Sequence, residues 1–354
     1  MSATGTSSKT SADEIYADLA VRLQRIVPDF ELRYKAELAA EVNRLKIEKN
    51  ALILGHNYME AALFHSVADI TGDSLGLCRE AARTDRDRIV FCGVRFMAET
   101  AKILNPDRIV LLPSAVGGCS LAASIGAADV RRLKQRYPGV PVVVYVNTYA
   151  EVKAEADYCC TSSNAAAVIE AIGADTVLFL PDEYLAANVA RETSRDIVVV
   201  GPADIDSAPS VFRSPTVIGW SGRCEVHEKF TVGDVQAARR QFPDVVILAH
   251  PECSPEVVEA SDFSASTAQM SRYVRQSDAP HYLLLTECAM GDNVAAENPD
   301  KDMLRLCSLR CPHMNEITLE DTLEALKLDR YRIEVPEPIR SRARRSIDRM
   351  LAIG

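Results

Sequence analysis

The chain has 354 residues, more than one small core would use, and 47% of them are hydrophobic, so a soluble globular protein of about two or three domains is expected. A net charge of -10 excludes a general role on nucleic acid or on an anionic membrane surface, while leaving room for a local anion site. No run approaches the roughly 18 apolar residues of a membrane span. The opening MSATGTSSKTSADE reads as a disordered tail without the apolar segment of a secretory leader, so a cytoplasmic setting is expected.

Two amphipathic helices follow the tail, in ADEIYADLAVRLQRIV and ELRYKAELAAEVNRLKIEKN. The strand-like run ALILGHNYME then starts a pattern that recurs in VVVYVNTYAE and VVILAHPECS, aligned so that His56, Asn147 and His250 coincide. In each repeat an aspartate follows: Asp69, Asp157 and Asp262. Five residues later Ser74, Ser162 and Thr267 stand where a helix N-cap is expected. Another strand comes next, with Glu99, Glu183 or Glu287 past its end, and then a loop cysteine: Cys119, Cys224 or Cys311. Each repeat reads strand, helix, strand, helix, strand, loop, which implies parallel βαβ units with right-handed crossovers. The expected fold is therefore α/β: three pseudo-threefold-related three-layer α/β/α domains with parallel sheets around a central site.

Boundaries follow at 1–28 for a disordered and helical N-terminal tail, 29–117, 118–221 and 222–312 for the repeats, and 313–354 for a C-terminal helical extension. Within that extension, TLEDTLEALKL reads as a helix and VPEPIRSRARRSIDRM as a basic, solvated one.

Ten cysteines in a reducing compartment are buried, metal-bound or catalytic rather than paired. Cys78, Cys92, Cys159, Cys253, Cys288 and Cys307 lie in or beside apolar runs and read as small buried hydrophobes. Cys119, Cys224 and Cys311 are repeat-equivalent and would converge on a threefold axis. Three thiolates there suit a zinc ion completed by a fourth ligand. They equally suit a [4Fe–4S] cube whose fourth iron stays open as a Lewis acid. The strand-end loops, which carry function in such folds, add His56, Asn57 and Tyr58, then Tyr145, Asn147 and Thr148, then His250 and Glu252, with His227 three residues after Cys224. Glu252 is a candidate general base. The helix starts at Ser74, Ser162, Ser266 and Thr267 are candidate cradles for carboxylate or phosphate. Besides an enzyme, these features fit a zinc-bound module for small phosphorylated acids or a purely structural triplicated scaffold.

GHNYME, GDSLG, VRFMAETAKILNP, YVNTYAEVKAEADYCCTSSNA, GRCEVHEKF, AHPEC and CPHMNEITLEDTLEAL together resemble the quinolinate synthase family of de novo NAD biosynthesis, over about residues 50 to 326. The resemblance implies a triplicated α/β/α enzyme with a [4Fe–4S] cluster on Cys119, Cys224 and Cys311. It implies condensation of iminoaspartate with dihydroxyacetone phosphate to quinolinate, phosphate and water, and a functional link to an aspartate oxidase or dehydrogenase. Carried over by motif, the substrate-side residues are His56, Tyr58, Ser74, Tyr145, Asn147, Ser162, His227, His250, Glu252, Ser266 and Thr267. Glu252 would be the main base, with Tyr58 and His56 handling the isomerisation proton. The chain departs from the family's GSTSGM, reading ASTAQM with Ala265, Ala268 and Gln269.

Overall fold

Short β-branched and leucine-rich runs alternate with amphipathic ones, and the computed structural model turns them into thirteen strands among the described residues, 9–306 and 309–353. Cys307 and residues 1–8 of the tail lie outside that range. The strands are β1 (Ala51–His56), β2 (Ile70–Gly72), β3 (Arg88–Cys92), β4 (Ile109–Leu111), β5 (Val142–Tyr145), β6 (Tyr158–Cys160), β7 (Thr176–Leu180), β8 (Asp196–Val200), β9 (Thr216–Trp220), β10 (Val246–Ala249), β11 (Phe263–Ser264), β12 (His281–Leu285) and β13 (Asp302–Leu304). They form three parallel sheets, the first ordered β2-β1-β3-β4 and the second β6-β5-β7-β9-β8. Among the last four strands, β10 pairs with β11 and β12 with β13. All six residues of β1 are buried, as an apolar strand covered by helices on both faces should be.

Two compact units divide the chain: Met1–Gly117 with Thr267–Glu334, and Gly118–Ser266 with Val335–Gly354. In the first unit the Ala12–Leu23 helix buries Ile15, Leu19 and Leu23 at four-residue spacing. In the second, the Glu337–Ile353 helix differs from the solvated helix expected of it. It packs Ala343, Ser346, Ile347 and Met350 against β6 and the Ala150–Lys153 turn, and turns its arginines outward. Among the described residues no helix is long and apolar enough to cross a membrane.

The recurring aspartate is the local device that makes the repeats alike. Asp69 Oδ2 accepts the Ile53 N–H at 2.8 Å while its own N–H reaches Ile53 O at 2.9 Å. Asp157 does the same with Val142, and Asp262 with Ile247. One residue onward the first two strands of each repeat are in register, Leu54 with Ile70, Val143 with Tyr158, and Leu248 with Phe263. These anchors correct the sequence alignment by two residues in the second repeat. Tyr145, not Asn147, is the counterpart of His56 and His250, and Asn147 is the counterpart of Tyr58 and Glu252.

Three further corrections concern elements. Each repeat carries a third helix and a fourth strand (β4, β9 or β13) beyond the expected five elements, with β8 added in the second; strands as short as β4 and β13 leave no periodic signal. The helix expected to be capped by Ser74 is capped by Asp73, whose carboxylate accepts from Gly76 N, and Ser74 is its first residue. Ser162 lies in a turn before the Ala165–Ile172 helix, whose N-cap is Asn164. Glu99 sits inside the Arg95–Leu104 helix; the acidic residues that cap the third helices are Asp182 and Glu287, with Val94 at the matching position of the first repeat.

Replacing Asp157 by Ala strands the buried Val142 N–H and should cost about 1–3 kcal/mol in urea unfolding. Asp157→Asn, whose amide oxygen still accepts, should cost less; equal losses would show that the reciprocal bond is not what Asp157 contributes.

Candidate active site

The loop after β10 carries His250, Pro251 and Glu252, and four side chains meet the Glu252 carboxylate. Tyr145, at the end of β5, donates its hydroxyl to Glu252 Oε1 at 2.5 Å, and Asn147 Nδ2 reaches the same oxygen at 3.4 Å. His227 Nδ1 lies 2.8 Å from Oε2 and His250 Nδ1 3.9 Å from Oε1. The two imidazoles stack with ring centroids 4.6 Å apart. His250 Nδ1 also accepts the Glu252 N–H at 3.4 Å. Glu252 is 3% exposed and His227 2%, so these charges act in a medium that screens them weakly. Burial alone would raise the Glu252 carboxyl, but the His227 and His250 rings and the hydrogen bonds from His227 and Tyr145 overcome it and lower it to about 2.

Asp182 closes the set. It caps the Glu183–Glu192 helix through Oδ1, which accepts from Leu185 N at 2.7 Å, while Oδ2 is buried without a hydrogen-bond partner. Complete burial, and then the Glu252 charge, push its carboxyl well above the ordinary value. The two neighbouring carboxyls are thus pushed in opposite directions, Glu252 down and Asp182 up, a separation familiar from acid–base sites.

In the first unit the matching loop places His56 and Tyr58 edge to face, centroids 4.7 Å apart, with His56 Nδ1 accepting the Tyr58 N–H at 3.3 Å. Tyr58 and Thr286 share a hydroxyl hydrogen bond of 2.5 Å, and Asn57 Nδ2 donates to Thr267 Oγ1 at 2.9 Å. Glu287 accepts from Ala289 N at 2.6 Å and from Cys311 N at 3.3 Å, and burial raises its carboxyl to about 7.

Thr267 is the first residue of the Thr267–Gln276 helix, and Ser266 before it is buried. Ala268 and Gln269 continue that helix, for which they are better formers than Ser and Gly. Ser74 and Ser162 are half-buried at the elements described above.

Nine cysteines are described, and six of them are buried: Cys78, Cys92, Cys159, Cys160, Cys253 and Cys288. Only Cys119, Cys224 and Cys311 are partly exposed. Each of the three opens a helical turn with the same bond: Ala123 N to Cys119 O, Glu228 N to Cys224 O and Asn315 N to Cys311 O, at 3.0, 3.0 and 3.1 Å. Cys119 Sγ accepts from Ala122 N at 3.5 Å. Burial, then Glu252 and Cys119, push the Cys224 thiol well above its ordinary value, against the pull of N–H groups of His227 and Val226. A thiolate at Cys224 therefore needs a cation to hold it, and N–H groups aimed at sulfur suit a metal–sulfur group. The donor chemistry fits. Cys224, His227 and Glu252 also present ligand atoms within 4.8 Å of one another, a set that a single divalent ion could take.

Asp182, Thr286 and Lys153 were not read from sequence as site residues. Asp182 and Thr286, each just past a third strand, follow from the rule that strand ends carry function. Lys153 gave no signal; it sits on a short helical turn and is fully buried with its ammonium on the Val146 and Thr148 carbonyls.

A parallel α/β protein with a buried carboxylate–imidazole centre and three cysteines set on matching turns has the make-up of an enzyme whose site offers donors for a metal. The model of the quinolinate synthetase A protein family matches residues 40–352. Quinolinate synthase 2 of Mesorhizobium japonicum is 50% identical over 94% of this chain and 96% of its own length. Quinolinate synthase of Agrobacterium fabrum is 49% identical over 95% and 92%, and that of Xylella fastidiosa 50% over 87% and 85%. The chain belongs to the quinolinate synthetase A protein family, and it is an enzyme.

Asp182→Asn tests the neutral carboxyl. Folded Asp182 binds its proton more tightly than the unfolded chain does, so the wild type loses stability as pH climbs above the unfolded value of 3.8. The Asn variant, neutral and still able to cap, should match the wild type near pH 4 and gain on it as pH rises above that value in urea unfolding. A variant that becomes relatively weaker with rising pH would mean that Asp182 is ionised.

Proposed function

We propose that this enzyme is a quinolinate synthase of NAD biosynthesis, condensing iminoaspartate with dihydroxyacetone phosphate to quinolinate, phosphate and water. The observation that carries the reading is the ionised Glu252 held by Tyr145, Asn147 and His227 beside Cys224. The near-complete match to curated quinolinate synthases supports it. Cys119, Cys224 and Cys311 are the proposed ligands of a [4Fe–4S] cluster at a pseudo-threefold centre of three repeats. When bound, the cluster supplies an iron without a protein ligand, a Lewis acid for a substrate oxygen.

The chain's own groups supply the proton transfers that two dehydrations and a ketose–aldose shift demand. A carboxyl lowered to about 2 is a weak base by itself, so we assign Glu252 and His227 as a joint acid–base pair. Glu252 stays ionised and fixes the His227 and His250 rings, and His227 Nδ1, 2.8 Å from Glu252 Oε2, is assigned as the position through which a proton passes. Tyr145 and Asn147 orient the carboxylate. Tyr58 and His56 are assigned to the isomerisation proton, with Thr286 orienting the Tyr58 hydroxyl. Ser74, Ser162, Ser266 and Thr267 are assigned to the anionic groups of the substrates, where helix-start N–H groups favour negative charge. The aspartate oxidase or dehydrogenase that makes iminoaspartate is the proposed functional partner, and the setting is cytoplasmic.

The deciding experiment is anaerobic purification followed by an assay for quinolinate from the two substrates. A brown protein that forms quinolinate is the expected result. A colourless protein loaded with zinc would favour the Cys224–His227–Glu252 donor set as a metal site in its own right. Serine at Cys119, Cys224 or Cys311 should abolish both colour and turnover, because a hard hydroxyl replaces a soft thiolate. Cys92→Ser should keep both; the Cys92 thiol is buried and pushed up to about 12. Bleaching by the Cys92 change with colour retained at Cys119→Ser would reverse the ligand assignment.

Glu252→Gln keeps the shape and hydrogen-bonding reach of the side chain but removes its charge. With cluster content intact, turnover at saturating substrate should fall by about 10²–10⁴. Near-normal turnover in a fully loaded variant would take Glu252 out of the mechanism.

A further inference from the structure

Each strand-end loop is held from behind by one buried side chain that bonds two carbonyls flanking a site residue. In the third repeat Asn188 Nδ2 donates to Pro251 O and Cys253 O, both at 2.9 Å, on either side of Glu252. In the first, Asn293 Nδ2 donates to Asn57 O at 3.1 Å and Met59 O at 2.9 Å, on either side of Tyr58. In the second, the buried Lys153 ammonium bonds Val146 O at 2.8 Å and also Thr148 O, on either side of Asn147. The three bracketed residues are the counterparts identified by the aspartate anchors.

The two asparagines occupy one position of the repeat. Asn188 is the sixth residue of the Glu183–Glu192 helix and Asn293 the sixth of the Cys288–Glu297 helix. Asparagine is a poor helix-interior residue because its amide competes for backbone groups. Here the amides reach backbone outside their own helices, and Arg191 Nη2 on Asn188 Oδ1 at 3.3 Å turns the Asn188 NH₂ toward the loop. The matching residue of the Arg95–Leu104 helix is Thr100, whose hydroxyl bonds Phe96 O in its own helix, and the second-repeat loop is served by Lys153 instead.

We infer that Asn188 and Asn293 are positioning residues of the reaction, setting where Glu252 and Tyr58 stand, with Lys153 doing the same for Asn147. The inference rests on the quinolinate synthase reading for the roles of those three residues. Two carbonyls on one planar amide define both the height and the tilt of the residue between them, and misplacement of a reacting group by about 1 Å costs about 10²-fold in rate.

Asn188→Asp, purified anaerobically with its cluster, tests the inference. An ionised aspartate cannot donate to either carbonyl, whereas a protonated one donates to one of them. Expected are kcat lowered by about 10²-fold with KM changed far less, cluster content close to wild type, a lowered melting temperature from the two carbonyls left without a donor, and faster amide exchange confined to residues 249–254. Relative to wild type, turnover should recover in part as pH falls, and should not recover in Asn188→Leu, which has no donor at any pH. Wild-type kcat with unchanged exchange in soluble, loaded Asn188→Asp overturns the inference. So does an equal, pH-independent loss in both variants, which would make the residue merely structural. If Asn188→Asp fails to fold, Asn188→Ser, too short to span both carbonyls, is read by the same kcat and exchange criteria. A wild type that makes no quinolinate overturns the functional reading instead, and the exchange measurement then decides the clamp alone.

Discussion

Everything that matters in this molecule hangs on a reciprocal pair of bonds between an aspartate and the first strand of its repeat. Asp69, Asp157 and Asp262 each take a strand N–H and give back their own. A strand that slips by one residue turns every side chain to the opposite face, so this bond pair decides which residues reach the strand end on the functional side. With the register set there, His56, Tyr145 and His250 take equivalent positions in their repeats, and Tyr58, Asn147 and Glu252 the equivalent positions two residues on. The site is a consequence of a structural hydrogen bond well removed from any chemistry.

Charge is handled with equal economy. A carboxylate buried like Glu252 is unfavourable unless cations or donors compensate it. Four side chains converge on it, while burial and the Glu252 charge raise the proton affinity of the adjacent Asp182. The Cys224 thiol belongs to the same balance, since the Glu252 charge beside His227 also bears on the sulfur. Changes to any one of these groups therefore act on the others through space.

The strands and the three repeats were legible because their apolar runs and landmark residues are strong local signals, and Asp69, Asp157 and Asp262 were found in that way. The second-repeat alignment was off by two because Asn147 looks more like a histidine counterpart than Tyr145 does. Only the hydrogen bonds of Val142 reveal the true register. The membership of His227, His250 and Glu252 in one cluster follows from loop position. The raised proton affinity of Asp182 and the carbonyl clamps of Asn188 and Asn293 do not, because they depend on which helix backs which loop. Ser74 was misread as a cap for a simpler reason: Asp73 stands beside it and its carboxylate takes the cap bond, while Ser162 lies two residues before Asn164, where the helix begins.

The two units are interleaved along the chain. The first takes Met1–Gly117 and Thr267–Glu334, and the second takes Gly118–Ser266 and Val335–Gly354. A ribosome delivering this protein from its N-terminus thus releases no unit whole until nearly all of it has emerged. The final helix completes the second unit, where Ser346 bonds Lys153 O at 3.0 Å, the backbone of the same lysine whose ammonium holds the Asn147 loop. Nascent chains would expose β5 and β6 without that cover throughout synthesis of the third repeat, a long window in which chaperones rather than native contacts must shield apolar strands. It follows that a shortened C-terminus, far from any proposed ligand or base in sequence, would be felt first as a failure of biogenesis.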